Sequence, residues 1–150
     1  MKTSSYEGFT LIECLLVLLI MGIFITIPVI GIQKWREKNK VEMFLSQVER
    51  KIQETHQSAI VAGLNTKVSP ESSKQSIKFE NYFRGTKKYD YLYVEKPLVL
   101  KSTETIEFKG ESGNIKEIQG IRFVDESRNH EIKYSFQLGS GKVIRYEKDL

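Results

Sequence analysis

A single uncharged run governs what this chain can become. From Cys14 to Ile32 no residue carries a charge, and the apolar stretch that contains the run, Leu11 to Ile32, is 22 residues long. As a helix rising ~1.5 Å per residue it reaches about 33 Å, enough to cross a hydrocarbon core of about 30 Å. Gly22, Pro28 and Gly31 lie inside it. Membrane helices tolerate such residues, and Pro28 predicts a kink. Lys34, Trp35 and Arg36 follow at once, an aromatic and two cations suited to a bilayer interface. Glu13 alone resists this reading. At the centre of a membrane helix a charge costs ~2.5–3.5 kcal/mol, and the carboxylate sits close to the start of the oily run.

A removable secretory signal fits poorly. The run is too long, Glu13 interrupts it, and the start balances Lys2 with Glu7. A plain membrane anchor explains the length but leaves Glu13 unexplained. A cation one helical turn earlier would offset the carboxylate, and no Lys or Arg is there. Cutting the chain between Gly8 and Phe9 would create one. The new amine would stand four residues before Glu13, on its face of the helix, or could be supplied by a neighbouring chain.

The order Gly8-Phe9-Thr10-Leu11-Ile12-Glu13, followed by an oily helix, resembles the class III signal of type IV pilins and pseudopilins. The resemblance implies that a prepilin peptidase cuts after Gly8 on the cytoplasmic face and N-methylates Phe9. It implies that Glu13 sets the register of the subunit in a filament. It also implies a pilin-like α+β fold, with a long N-terminal helix packed on a small antiparallel β-sheet. Residues 1–8 would be the leader, 9–33 the transmembrane half of the helix, 34–64 its amphipathic half and 65–150 the sheet-bearing head. The chain would cross the cell membrane once, N-terminus inside and head outside, and reach the cell surface on assembly. Lys34, Arg36, Lys38 and Lys40 follow the span, and counted alone they favour the opposite orientation; the motif is the more specific signal. The implied partners are other pseudopilins, major and minor, the peptidase, an assembly ATPase and a polytopic membrane platform protein. The oily start, the small size and the strand-rich basic head are most similar to ComGD-type minor pseudopilins of Gram-positive competence, structural subunits of a DNA-uptake pilus. A type II secretion pseudopilin and an anchored surface domain with no assembly role are the alternatives.

Beyond the span the helical period continues. Val41, Leu45, Val48, Ile52, Thr55, Ala59 and Ala62 recur at steps of four and three, widened by Phe44 and Ile60, and Gly63 and Asn65 are stop signals. The polar stretch 65–76, with Pro70 and four serines, reads as a loop. The period then becomes two: Ile77 and Phe79; Tyr89, Tyr91 and Tyr93; Ile106 and Phe108; Ile121 and Phe123; Ile132, Tyr134, Phe136 and Leu138. Gly139-Ser140-Gly141 closes the last run into a hairpin with Val143 to Tyr146. Turns are expected at Arg84-Gly85, at 110–114 and at 125–129.

Little in the sequence points to catalysis. Cys14 is the one cysteine, a small apolar residue of the oily run, and no disulfide can form within the chain. His56 and His130 are the two histidines, and both read as surface residues. No phosphate-binding glycine loop, nucleophile elbow or metal-ligand spacing occurs, so no catalytic residue, metal or cofactor is assigned. The net charge of +4 permits an anionic partner without requiring one. Arg84, Lys87 and Lys88 beside Tyr82, Phe83, Tyr89, Tyr91 and Tyr93 form a candidate DNA contact. The simpler reading of the same residues is a half-buried tyrosine strand preceded by a solvated lysine turn.

Overall fold

The computed structural model describes residues 10–150, with the side chains of 25–31, 33 and 34 outside the description. The chain divides into a first unit ending at Lys40 and a second unit, Val41–Leu150. Helix α1, Leu11–Ala62, contributes to both and continues through Pro28.

In the second unit α1 is a packed helix. Its sequence from Val41 to Ala62 holds neither glycine nor proline. Val41, Leu45, Val48, Ile52, Thr55 and Ala59 are all buried, on the face the periodicity predicts. Thr55 is a polar member of that stripe, and its hydroxyl donates to the Lys51 carbonyl at 2.8 Å. Phe44 packs against the core while Ile60 stays exposed. The helix stops where Gly63 turns left-handed at φ +66°. The Glu111 N–H donates to the Ala59 carbonyl at 3.3 Å, satisfying one of the terminal acceptors. Gly110 stands so close that a Cβ there would lie 2.3 Å from the Gly63 oxygen.

Eight antiparallel strands follow. They are β1 (Thr66–Glu71), β2 (Ser76–Phe83), β3 (Thr86–Tyr93), β4 (Leu98–Leu100), β5 (Ile106–Phe108), β6 (Gly120–Asp125), β7 (His130–Phe136) and β8 (Val143–Asp149). They form two four-stranded sheets, in the orders β3-β2-β1-β5 and β4-β6-β7-β8. The α+β class and the antiparallel pairing agree with the sequence reading, but the single small sheet is corrected to two. The split arises because β5 pairs back to β1 while β4 pairs forward to β6. Residues of both sheets join the helix stripe in one core. Phe108 of β5 and Phe136 of β7 meet edge to face, with centroids 5.9 Å apart.

The expected loop at 65–76 is also corrected. Thr66, Val68 and Pro70 alternate into the core, so this stretch is strand β1, followed by a single 3-10 turn, Ser72–Lys74. Pro70 is tolerated because β5 pairs only with Thr66 to Val68, leaving that edge open at the proline. Leu138 lies beyond the end of β7 and is exposed. The predicted hairpin itself forms, with Phe136 opposite Val143.

Polar contacts fix α1 to each sheet. On the first sheet, Lys51 reaches Asp90 at 2.9 Å, and the Tyr82 N–H donates to the Ser58 hydroxyl at 2.7 Å. On the second, Arg145 holds Glu42 through both terminal nitrogens at 3.0 Å, and the buried Tyr134 hydroxyl donates to Glu49 at 2.9 Å. Burial and the Glu49 carboxylate push the Tyr134 phenol well above its ordinary value.

Candidate functional site

Gly8 and Phe9 lie outside the described residues. The described residues begin at Thr10, the second residue after the expected cut. There Glu13 folds back on the helix start. One carboxylate oxygen accepts from the Thr10 N–H at 2.8 Å and from the Thr10 hydroxyl at 2.9 Å. In return the Glu13 N–H donates to the Thr10 hydroxyl at 3.4 Å, and the Cys14 N–H donates to the Thr10 carbonyl at 3.3 Å. This is a capping box, with Thr10 as N-cap and Glu13 three residues on. It gives the carboxylate a local partner in the uncut chain. Thr10 was missed as a functional residue, although its signal, Thr-x-x-Glu before an apolar run, stands in the sequence.

The helix that follows presents oil on every side. Leu11, Ile12, Leu15 to Met21, Ile23 and Phe24 are all exposed, at 42% or more. A helix apolar all round needs a cover of lipid or of other helices. Cys14 is a free, exposed thiol on the same stretch. Among the described residues no helix is long and apolar enough to cross a membrane; the described apolar side chains reach Phe24 before those of 25–31 drop out of the description. Trp35 and Arg36, expected at the interface, are exposed, and the Lys34 side chain lies outside the description.

The hairpin of β2 and β3 carries the expected cationic tip. Its turn is the predicted one, with Arg84 and Gly85 both left-handed, at φ +50° and +75°. Register places Lys87 opposite Tyr82 and Lys88 opposite Asn81, so the two lysines occupy opposite faces. Lys87 is bound to Glu80 at 2.6 Å and lies 5.6 Å from the Tyr82 ring. Glu80 first, then Tyr82, raise its ammonium above the ordinary 10.5. Arg84 and Lys88 instead lie over Phe83, at 5.4 and 4.8 Å. Tyr89, Tyr91 and Tyr93 are exposed on the face of Lys87. The half-buried members of β3 are Asp90 and Leu92, which correct the half-buried tyrosines expected from the alternation.

His56 is not the surface residue expected. Its ring meets Phe108 edge to face at 5.2 Å, and its buried Nε2, closed in by Gly113 and Gly141, has no hydrogen-bond partner among the described residues. His130 opens β7 with its ring nitrogens 2.6 Å from Asp149 and 3.2 Å from Glu147. Among the described residues no group of three or more His, Cys, Asp or Glu side chains is placed to hold a metal ion.

No curated protein and no solved structure matches the chain. A family model described as "Prokaryotic N-terminal methylation motif" matches residues 3–27. That segment contains the expected cut, the capping box and the start of the bare helix, and in it the chain is similar to type IV pilins and pseudopilins.

Proposed function

We propose that the chain is a minor pseudopilin, a structural subunit of a competence pilus that serves DNA uptake. The observation that carries the pilin-like reading is the union of the methylation motif with a helix whose apolar side chains are exposed on all faces. The motif supplies a processing signal and the helix supplies a surface that needs covering. In this reading residues 1–8 are the leader, 9–33 cross the membrane, 34–64 carry the head and 65–150 form it. The precursor inserts with its head outside. Prepilin peptidase cuts after Gly8 and methylates Phe9. An assembly ATPase and a polytopic platform protein then move the subunit from lipid into a bundle of like helices, so apolar burial is retained throughout.

The capping box refines the role of Glu13. In the precursor the carboxylate is held by Thr10. In the filament it pairs with a terminal amine, and a misregistered subunit leaves charges unpaired in an apolar bundle at a cost of several kcal/mol. A type II secretion pseudopilin shares all of these steps, and an anchored surface domain shares only the membrane span.

The intact mass and N-terminal peptide mass of the protein from its native membrane test the reading, beside Gly8→Ala. A mature chain beginning at N-methyl-Phe9, absent in the variant, is expected. An uncut chain beginning at Met1, in cells with an active peptidase, removes the assembly role. A deletion strain that loses transformation but keeps protein secretion separates competence from type II secretion.

A further inference from the structure

The outward face of the second sheet carries a row of like charges that make no ion pair among the described residues. Arg122 of β6 stands directly opposite Lys133 of β7. Lys101, one residue beyond β4, extends the same row, because Leu100 faces Phe123 and the Lys101 N–H donates to the Arg122 carbonyl at 2.9 Å. Ser102 fastens this arrangement: its hydroxyl accepts from the Arg122 N–H at 2.7 Å and donates to the Gly120 carbonyl at 3.2 Å. On the far side Lys133 faces Tyr146 of β8, an exposed aromatic. The row therefore runs Lys101, Arg122, Lys133, Tyr146 across four neighbouring chain segments. With strands ~4.8 Å apart, its three cations span about 10 Å.

Like charges directly opposed across strands destabilise a sheet. Some other cations of the head, Lys51, Lys67, Lys87, Arg128 and Arg145 among them, bind carboxylates. Among the described residues Lys101, Arg122 and Lys133 make no ion pair. All three line one cleft of about 240 Å³, together with the hydroxyl-bearing Ser135 and Thr103 and a single carboxylate, Glu104. Three cations beside hydroxyl side chains along one polar cleft offer donors suited to phosphate oxygens. The exposed Tyr146 at the end of the row adds a face on which a base can stack.

We infer that this row binds the sugar–phosphate backbone of a single nucleic-acid strand, independently of sequence. The site lies on the opposite sheet from the cationic hairpin tip and needs only the head, so it stands whether or not the assembly reading does. The test is fluorescence anisotropy of a labelled mixed-sequence single-stranded DNA oligonucleotide with the full chain in neutral detergent. For about three phosphates neutralised, affinity should fall roughly 15- to 20-fold between 50 and 200 mM salt. Arg122→Glu should weaken binding at least about tenfold and flatten the salt slope by about one or more. Because it places opposite charges across the strands, it should leave the unfolding temperature equal to or above that of the parent, which separates loss of binding from loss of fold. Tyr146→Ala should weaken binding with the salt slope unchanged. The inference is overturned if Arg122→Glu binds as the parent does. It is also overturned if only the Arg84, Lys87 and Lys88 triple alanine variant loses binding, or if the chain takes up anionic phosphatidylglycerol vesicles and no oligonucleotide.

Discussion

One helix solves two different problems along its length. From Val41 to Ala62 it follows the rule for a packed helix: a buried stripe, a mostly polar remainder in which only Met43, Ile60 and Val61 are exposed large apolar residues, and hydrogen bonds or ion pairs to both sheets. From Leu11 to Phe24 it has no stripe at all, because every flank is apolar and exposed. The packed stretch has its partner inside the chain, whereas the bare one must find its partner outside. Helicity is common to the two, and what differs is where the apolar surface goes.

Alanine scanning should expose that difference most strongly. Ile52→Ala should cost the head about 2–5 kcal/mol, as deletions at fully buried aliphatic sites do. Leu16→Ala, an equal truncation on the bare stretch, should leave thermal unfolding of the head in detergent unchanged. Comparable losses for the two would mean that the bare stretch is packed after all.

Acid should act on the packed region through Asp125. This buried carboxylate accepts from the Ser127 N–H at 3.0 Å, the Ser127 hydroxyl at 2.6 Å and Arg128 at 2.7 Å. Burial pushes the carboxyl up, but these contacts outweigh burial and hold it below its ordinary 3.8. A group depressed on folding contributes stability that is complete above its unfolded value and is lost as pH falls through the folded one. Asp125→Asn should therefore cost about 1.5–3 kcal/mol at neutral pH. It should also flatten the loss of stability below pH 3.8 that the parent shows in acid unfolding curves.

The end of the packed stretch can be probed at Gly110. A methyl group there meets the Gly63 oxygen at 2.3 Å, so Gly110→Ala should cost about 1–3 kcal/mol and lower the melting temperature. An unchanged melting point would show that the helix terminus is free to shift. The smallest effect belongs to the start of the bare stretch. Thr10→Val removes the N-cap, worth about 1 kcal/mol to the first turn. Amide exchange should quicken at residues 11–14 while the head keeps its protection.

The sequence made the helix, its buried face and the final hairpin legible, since each is written in a local period. Sheet membership was not, because β5 finds its partner some forty residues earlier and no local pattern records that choice. Strand β1 was hidden by Pro70 and its serines, which read as loop chemistry until the open edge beside the proline is seen. Leu98–Leu100 gave three apolar residues with too short a period to assign. His56 looked solvated because the two glycine turns that enclose it lie fifty-seven and eighty-five residues further on. At the amino terminus the carboxylate stood out by its charge, whereas its reciprocal partner Thr10 carries none and did not. The row of Lys101, Arg122 and Lys133 could not be read at all, since three separate segments converge only through register.

The contacts that hold α1 to the head also decide how the head answers traction. Ser58 and Lys51 tie the helix to one sheet, and Glu42 and Glu49 tie it to the other. A load drawn along the helix axis is divided between these ties and the apolar stripe, which must yield together in shear. A strand peeled from an edge would instead lose its hydrogen bonds singly, in sequence. Shear along the helix axis therefore meets all of these ties at once, whereas an edge strand offers its hydrogen bonds one at a time.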